Sequence, residues 1–223
     1  ARTPGEAPDS LVTYSNFALC QTRHQWAVKL DDDHLAIPDA VRKMVDAIRS
    51  GAADDRKMHC FSGLNLIRAA DNKFYVPAVA PVSGKGDIGY FRVTSDTHFA
   101  HDPRFERFTR GDVERCFAGW FYWHLKYLKS GGGFANYELE SNPGSRYARR
   151  RKRLQAGALW DISETKSRLT PGLLRRLRAS IDKKERLGVA RDASIETAFP
   201  QADLITALDE TAPDWRHWLE PKQ

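Results

Sequence analysis

The chain has 223 residues, 41% of them hydrophobic and 29% charged, with a formal net charge of +6; that length supports one sizeable domain, or one domain with a helical tail. Aromatic residues make up 11% and six are Trp, which argues against a disordered chain, and no apolar run reaches the roughly 18 residues of a membrane span. The basic balance admits an anionic partner (nucleic acid, acidic lipid or nucleotide phosphate) without choosing among them.

Three cysteines, Cys20, Cys60 and Cys116, stand far apart with no C-x-x-C pair. They read as buried or half-buried thiols of a reducing compartment. The opening Arg-Thr-Pro-Gly-Glu-Ala-Pro is not a signal peptide, so the expectation is a soluble, cytoplasmic protein.

In chain order, residues 1–8 read as a loop. A helix is expected from Asp9 or Ser10, either a suitable N-cap, to about Thr22. Trp26–Leu30 reads as a short buried strand, followed at once by Asp31-Asp32-Asp33. Pro38 opens a second helix, with Val41, Met44, Val45 and Ile48 on one face and Gly51 at its end. Helix, strand, acidic turn and helix together belong to an α/β fold with a central sheet. Strands are expected at 58–61, 64–68, 74–76 and 90–93. Residues 94–111 give no clear pattern, and an aromatic helix is expected over Val113–Lys129, ended by Gly131-Gly-Gly133. After Ser141-Asn-Pro-Gly the chain turns basic over 146–153, and residues 154–223 read as helical. Leu174, Leu177 and Ile181 mark one amphipathic stretch and Leu204, Ile205 and Leu208 another.

The acidic triplet is the most informative feature. Three adjacent carboxylates repel one another, and packing at a strand end does not need them. If they continue the strand, Asp31 and Asp33 point to one side and Asp32 to the other. Two carboxylates on one side, at the carboxyl edge of a sheet, form a hard-oxygen site for Mg²⁺ or Mn²⁺ completed by substrate phosphates. The plain alternative is an acidic turn capping the helix at Pro38.

The ordered run Asn16-Phe-Ala-Leu-Cys-Gln-Thr-Arg-His-Gln-Trp-Ala-Val-Lys-Leu-Asp-Asp-Asp-His resembles the middle of a GT-A-fold glycosyltransferase. There a helix leads into a strand ending in an Asp-x-Asp motif, and a Pro-started helix follows. Phe61-Ser-Gly-Leu-Asn65 resembles the next strand, which lines the donor-sugar pocket. The nearest match is to inverting, family-two-like enzymes, many of which build bacterial capsule or lipopolysaccharide. The similarity spans roughly residues 9–140 and begins past the strand–helix–strand unit that holds the nucleotide base. The chain is therefore expected to be a fragment, or to hold the base in another way.

The resemblance implies a mixed sheet flanked by helices over 1–145, with a basic helical extension over 146–223. It implies transfer of a sugar from a nucleotide-diphosphate sugar to a glycan or glycolipid, with inversion. Asp33 would bind Mn²⁺ or Mg²⁺ directly, and Asp31 would contact the ribose or the metal shell, so that Asp31, Asp32 and Asp33 form the donor-binding motif. A late His supplies a further ligand in several members, which singles out His124; His98 and His101 are weaker candidates, and a hydrogen-bonded core histidine is the plain alternative at 124. The base that takes the acceptor's proton would be Asp96 or Glu106, ahead of Asp87 and Asp102, with a surface salt bridge or cap as the alternative for each. Trp120 and Trp123 could stack on a sugar, although core packing accounts for them as well.

The basic run over 146–153 reads either as a solvated helix face or as an attraction to a phosphate-bearing acceptor or an anionic membrane, the latter placing the protein at the periphery of the inner membrane. No DNA- or RNA-recognition motif accompanies it, which disfavours nucleic acid. The rival to a transferase is a non-catalytic binding module that uses this run; a metal-dependent phosphodiesterase is more distant, since too few carboxylates and histidines converge in sequence.

Overall fold

In the computed structural model of the chain, the residues described are 8–71, 73–84, 86–102, 105–111, 113–129, 146–195, 206, 208–210 and 213. Gly131–Gly133, Ser141–Gly144, Leu204 and Ile205 lie outside them. The fold mixes helices with a mixed sheet of strand order β1 (Trp26–Lys29), β7 (Gly89–Arg92), β3 (Lys57–Asn65), β10 (Glu114–His124), β2 (His34–Ala36), in which β6 (Val82–Ser83) also pairs with β3. Two compact units share the chain: one holds residues 1–30, 43–61 and 84–118, the other 31–42, 62–83 and 119–223. The strands β3 (Lys57–Asn65) and β10 (Glu114–His124) contribute one half to each.

In the first unit, helix α1 (Pro8–Cys20) leads to β1 (Trp26–Lys29), which pairs antiparallel with β7 (Gly89–Arg92), Ala27 facing Phe91. β7 pairs antiparallel with β3, Cys60 facing Gly89. A Cβ at Gly89 would overlap the His59 carbonyl, so only glycine lets these two backbones close. The unpatterned stretch resolves into a hairpin of β8 (His98–Asp102) and β9 (Phe105–Thr109). Asn16 of α1 fastens this hairpin, its amide donating to the Phe99 carbonyl at 2.8 Å while its oxygen accepts the Phe99 N–H at 2.7 Å. Met58, Cys60, Phe91, Phe99 and Phe108 form the core, with Leu19, Ala27, Val93 and Val113 packed around them.

The second unit contains β2 (His34–Ala36), which pairs antiparallel with the end of β10 so that Trp123 faces Leu35 and His124 faces His34. The end of β3 pairs with β6 (Val82–Ser83). Gly63 is held against Tyr122, where a Cβ would overlap the ring and the backbone carbonyl. In ascending order along the two long strands, Cys116 Sγ reaches the Met58 carbonyl, Gly63 packs on Tyr122, and Leu66 N–H donates to the His124 carbonyl. β3 and β10 therefore run parallel, and both finish at the same end. A small sheet orders β11 (Leu159–Trp160), β5 (Phe74–Pro77) and β4 (Ile67–Arg68). Helix α3 (Arg146–Ala156) buries Leu154 against Tyr127, with Ile67 and Val79 around the pair. Then follow α4 (Thr165–Leu169), α5 (Leu173–Ile181) and α6 (Lys183–Ala193). Helix α2 (Pro38–Arg49) spans both units and is followed by Gly51 at φ +73°.

Several expectations are corrected. Val113–Lys129 is not a helix: it is the strand β10 and a short 3₁₀ turn at Lys126–Leu128. Trp120, Phe121, Tyr122, Trp123 and His124 are all buried, so this stretch lies between other elements on both faces and shows no period. Aromatic side chains favour such a strand. β1 is an edge strand, not a buried one, and Val28 and Leu30 are substantially exposed. The separate strands expected at 58–61 and 64–68 are β3 as far as Asn65, with β4 after it. Residues beyond 154 are not wholly helical, because β11 joins β5. Cys20 is exposed, unlike the other two thiols. Among the described residues, no helix is long and apolar enough to cross a membrane.

Candidate functional site

The triplet does not continue β1. Asp31, Asp32 and Asp33 lie in a turn, closed by a hydrogen bond from His34 N–H to the Asp31 carbonyl at 3.2 Å. The alternation expected for a strand therefore does not apply, and the three carboxylates part company. Nor does the triplet cap α2, since β2 stands between them; Asp39 is the acid in that helix's first turn. Asp32 is 87% exposed and Asp31 51% exposed at the side chain, whereas Asp33 is 11% exposed.

Asp33 is turned inward because Leu125 N–H donates to its carbonyl at 2.8 Å, fixing the turn beside the end of β10. Its Oδ1 lies 3.2 Å from His124 Nε2 and 3.9 Å from His34 Nε2. Its Oδ2 lies 3.2 Å from Lys129 Nζ, which also reaches both oxygens of Asp32 at 3.1 Å. Burial alone would raise the Asp33 carboxyl pKa; the hydrogen bond and charge of His124, with the charge of Lys129, outweigh it and hold the group well below the usual carboxylate range. Lys129 moves the opposite way. Its partial burial disfavours the charge, but the two carboxylates raise its pKa.

His124 comes to this point as the last residue of β10, and Asn65, the last of β3, meets it there. His124 Nδ1 hydrogen-bonds to Asn65 Oδ1, while Asn65 Nδ2 donates to the Ala80 carbonyl at 2.6 Å. His34, opposite His124 in the ladder, stacks on Tyr122 with ring centroids 3.8 Å apart, and its Nδ1 accepts the Asp31 N–H at 3.2 Å. One ligand atom each from Asp33, His34 and His124 fall within 4.8 Å of one another. The cluster sits at the carboxyl end of two parallel strands, the side of an open α/β sheet on which ligands bind.

The donor set can hold a divalent cation. Two ligand atoms each about 2.1 Å from an ion lie about 3.0 Å apart at a right angle and about 3.4 Å apart at a tetrahedral angle. The 3.2 Å between Asp33 Oδ1 and His124 Nε2 falls between those values. One carboxylate with imidazole suits Mn²⁺ or Zn²⁺ better than Mg²⁺, which prefers oxygen throughout.

Of the residues singled out in sequence, the structure brings Asp33 and His124 together. Asp31 stands outside the pair, 3.9 Å from His34 Nε2, and Asp32 is tied to Lys129. Asp96 and Glu106 belong to the other unit. Asp96 accepts from the Thr94 hydroxyl, the first of the contacts that lower its pKa, in a turn where Thr97 Oγ1 accepts the Thr94 N–H. Glu106 is paired with Lys29 at 3.1 Å, both side chains 15% exposed. His98 and His101 lie on the hairpin with Glu106, and Trp120 and Trp123 are core residues. Asp87 is no part of the cluster, and the side chain of Asp102 lies outside what the structure describes. Sequence reasoning missed His34, Asn65 and Lys129. The first two stood in the quoted segments, but only strand register reveals that they face His124.

Compared with protein-family models, with curated proteins and with solved structures, the chain matches none.

Proposed function

We propose that the chain is the metal-binding part of a glycosyltransferase that moves a sugar from a nucleotide-diphosphate sugar to a glycan or glycolipid, with Asp33 and His124 as the protein ligands of a Mn²⁺-like cation. One observation carries the proposal: two residues far apart in sequence, on the acidic turn and at the end of β10, present Oδ1 and Nε2 at the separation of neighbouring metal ligands. A cation held by Asp33 and His124 would supply positive charge to a diphosphate leaving group. Asp33 and His124, each 11% exposed at the side chain, would keep that charge largely shielded from water. Lys129, cationic and 43% exposed at the same carboxylates, adds positive charge for a diphosphate oxygen. The transferase chemistry, GT-A identity and a base at Asp96 or Glu106 rest on the sequence resemblance.

One observation favours a second reading, in which Asp33 is a structural ion-pair hub of a non-catalytic module. Lys129 and His124 already provide both of its oxygens with cationic or hydrogen-bonding partners. The two readings separate in one titration. Mn²⁺ binding followed by electron paramagnetic resonance, with and without UDP or GDP, should show an ion whose affinity rises with nucleotide and falls at least tenfold in Asp33→Ala and in His124→Gln. A folded wild-type chain that takes up no Mn²⁺ at millimolar concentration, with either nucleotide, leaves the hub reading in place.

A further inference from the structure

Building on the metal reading, we propose that Asn65 is a positioning residue that makes His124 a ligand, and that His34, in the same cluster, turns an N–H toward the carboxylates and is not a ligand. The argument is one of tautomers. A neutral imidazole carries one N–H, and the partner of one nitrogen decides what the other offers.

At His124 the partner is an acceptor. Asn65 Nδ2 must be the atom facing the Ala80 carbonyl, because two oxygens would repel there; Oδ1 is therefore the atom facing His124. Asn65 is 1% exposed, and its backbone N–H donates to the Pro81 carbonyl at 2.9 Å, so the amide is fixed at both ends. An acceptor at Nδ1 places a proton on Nδ1, so Nε2, the nitrogen that faces Asp33 Oδ1, is the one free to exchange its proton for an ion. The 3.2 Å gap therefore calls for a positive charge between the two atoms, a second ring proton donated to Asp33 or an ion that replaces that proton. A ligating His whose second nitrogen is anchored in this way has a fixed ring orientation.

At His34 the partner is a donor. The Asp31 N–H points at Nδ1, which places the ring proton on Nε2, where no lone pair remains for an ion. That N–H faces Asp33 Oδ1 and Asp31 Oδ2, each 3.9 Å away. The 3.9 Å also exceeds the roughly 3.0–3.4 Å expected between neighbouring ligands. Stacking on Tyr122 and register with His124 hold the ring there. The two histidines are thus a cross-strand pair with opposite tautomers and different work.

The test uses the whole chain and begins without metal. Long-range ¹H–¹⁵N spectra of the imidazoles, at a pH where free imidazole is neutral, should show His124 protonated on Nδ1 and His34 on Nε2. Adding Zn²⁺, a diamagnetic probe, should shift His124 Nε2 and leave the His34 nitrogens near their starting values. For Mn²⁺, Asn65→Leu should weaken binding by about 10–100-fold, Asn65→Asp should restore it, and His34→Gln should change it less than about threefold. His124 protonated on Nε2 but not on Nδ1, a metal-shifted His34 Nε2, or a His34→Gln loss as large as that of His124→Gln would overturn the assignment; the wild-type spectra decide even if a variant fails to fold. If the wild type binds neither ion, the metal reading fails and this inference with it, whatever the tautomers. If it binds and the tautomers are reversed, this inference fails alone.

Discussion

At the scale of single residues, Asp33 dominates the site because each of its oxygens meets a different cationic or ring partner. Its carboxyl titrates below the unfolded value of about 3.9, so the stabilisation it gives is whole above about pH 5 and is lost as pH falls through the unfolded value toward the folded one. Urea denaturation of the metal-free chain between pH 7 and pH 2 should therefore show wild-type stability falling toward acid, with Asp33→Asn less stable at neutral pH and flatter across the acid limb. Parallel curves would mean that the carboxylate is not held by its neighbours. Lys129 sets up a second expectation. Its ammonium occupies the attraction that Asp33 would offer an ion, so Lys129→Met should tighten Mn²⁺ binding in the absence of nucleotide by about three- to tenfold, equivalent to a charge coupling of about 1 kcal/mol. With nucleoside diphosphate present the gain should shrink or reverse, because the anion then loses a cationic partner. A Lys129→Met chain that binds bare Mn²⁺ no better than wild type would show that the lysine and the ion do not compete.

At the scale of elements, what could be read in the sequence divides along a physical line. Helix α2 announces itself through Pro38 and a spaced apolar face, and β5 and β7 through short aromatic and β-branched runs between turn residues. Those signals are local. β10 is hidden because Trp120–His124 is apolar or aromatic at every position; a strand buried on both faces carries no period, and length alone then points to a helix. The site suffered for that reason. Placing His124 on a helix removed the one fact, strand register, that sets His34 opposite it and Asn65 beside it. Asp33 was legible as an acid in an unusual context, but its inward turn depends on the Leu125 N–H, a contact no local pattern encodes. The parallel course of β3 and β10 makes a prediction of its own. At Gly63 an added methyl has nowhere to go against the Tyr122 backbone, so Gly63→Ala should destabilise by about 2–4 kcal/mol. Gly51→Ala, with open space but φ +73°, should lose only about 1 kcal/mol. Denaturant melts of the two variants test the contrast; equal losses would mean that β3 and β10 separate easily, and the site they carry would not be rigid.

At the scale of the molecule, part of the positive charge is gathered on one helix. Of the run in α3, Arg149, Arg151, Lys152 and Arg153 are exposed, whereas Arg150 is half-buried, donating to the Tyr127 hydroxyl at 2.6 Å with its guanidinium over that ring. Within Arg149–Arg153, four charges are thus presented to solvent and the fifth is structural. In the same unit α5 exposes Leu173, Leu177 and Ile181 at successive turns, with Arg176 and Arg178 between them. A basic helix with an uncovered apolar stripe is the composition of a membrane-surface segment, and near an anionic bilayer each basic residue contributes about 1 kcal/mol. The expectation is co-sedimentation with phosphatidylglycerol vesicles at 50 mM salt, none with phosphatidylcholine, and partial release by 300 mM salt as the charges are screened. Arg151→Glu with Lys152→Glu should abolish the salt-sensitive part, Leu177→Asp with Ile181→Asp the part that survives salt, and Arg150→Gln should lower the melting temperature while leaving vesicle binding within about twofold. Equal binding to neutral and anionic vesicles would discard the electrostatic account. Binding to duplex DNA at matched salt, stronger than to any vesicle, would instead make the basic face a nucleic-acid surface and shift the balance toward the binding-module reading, since a sugar transferase working on a glycolipid has reason to sit at a bilayer and none to hold a duplex.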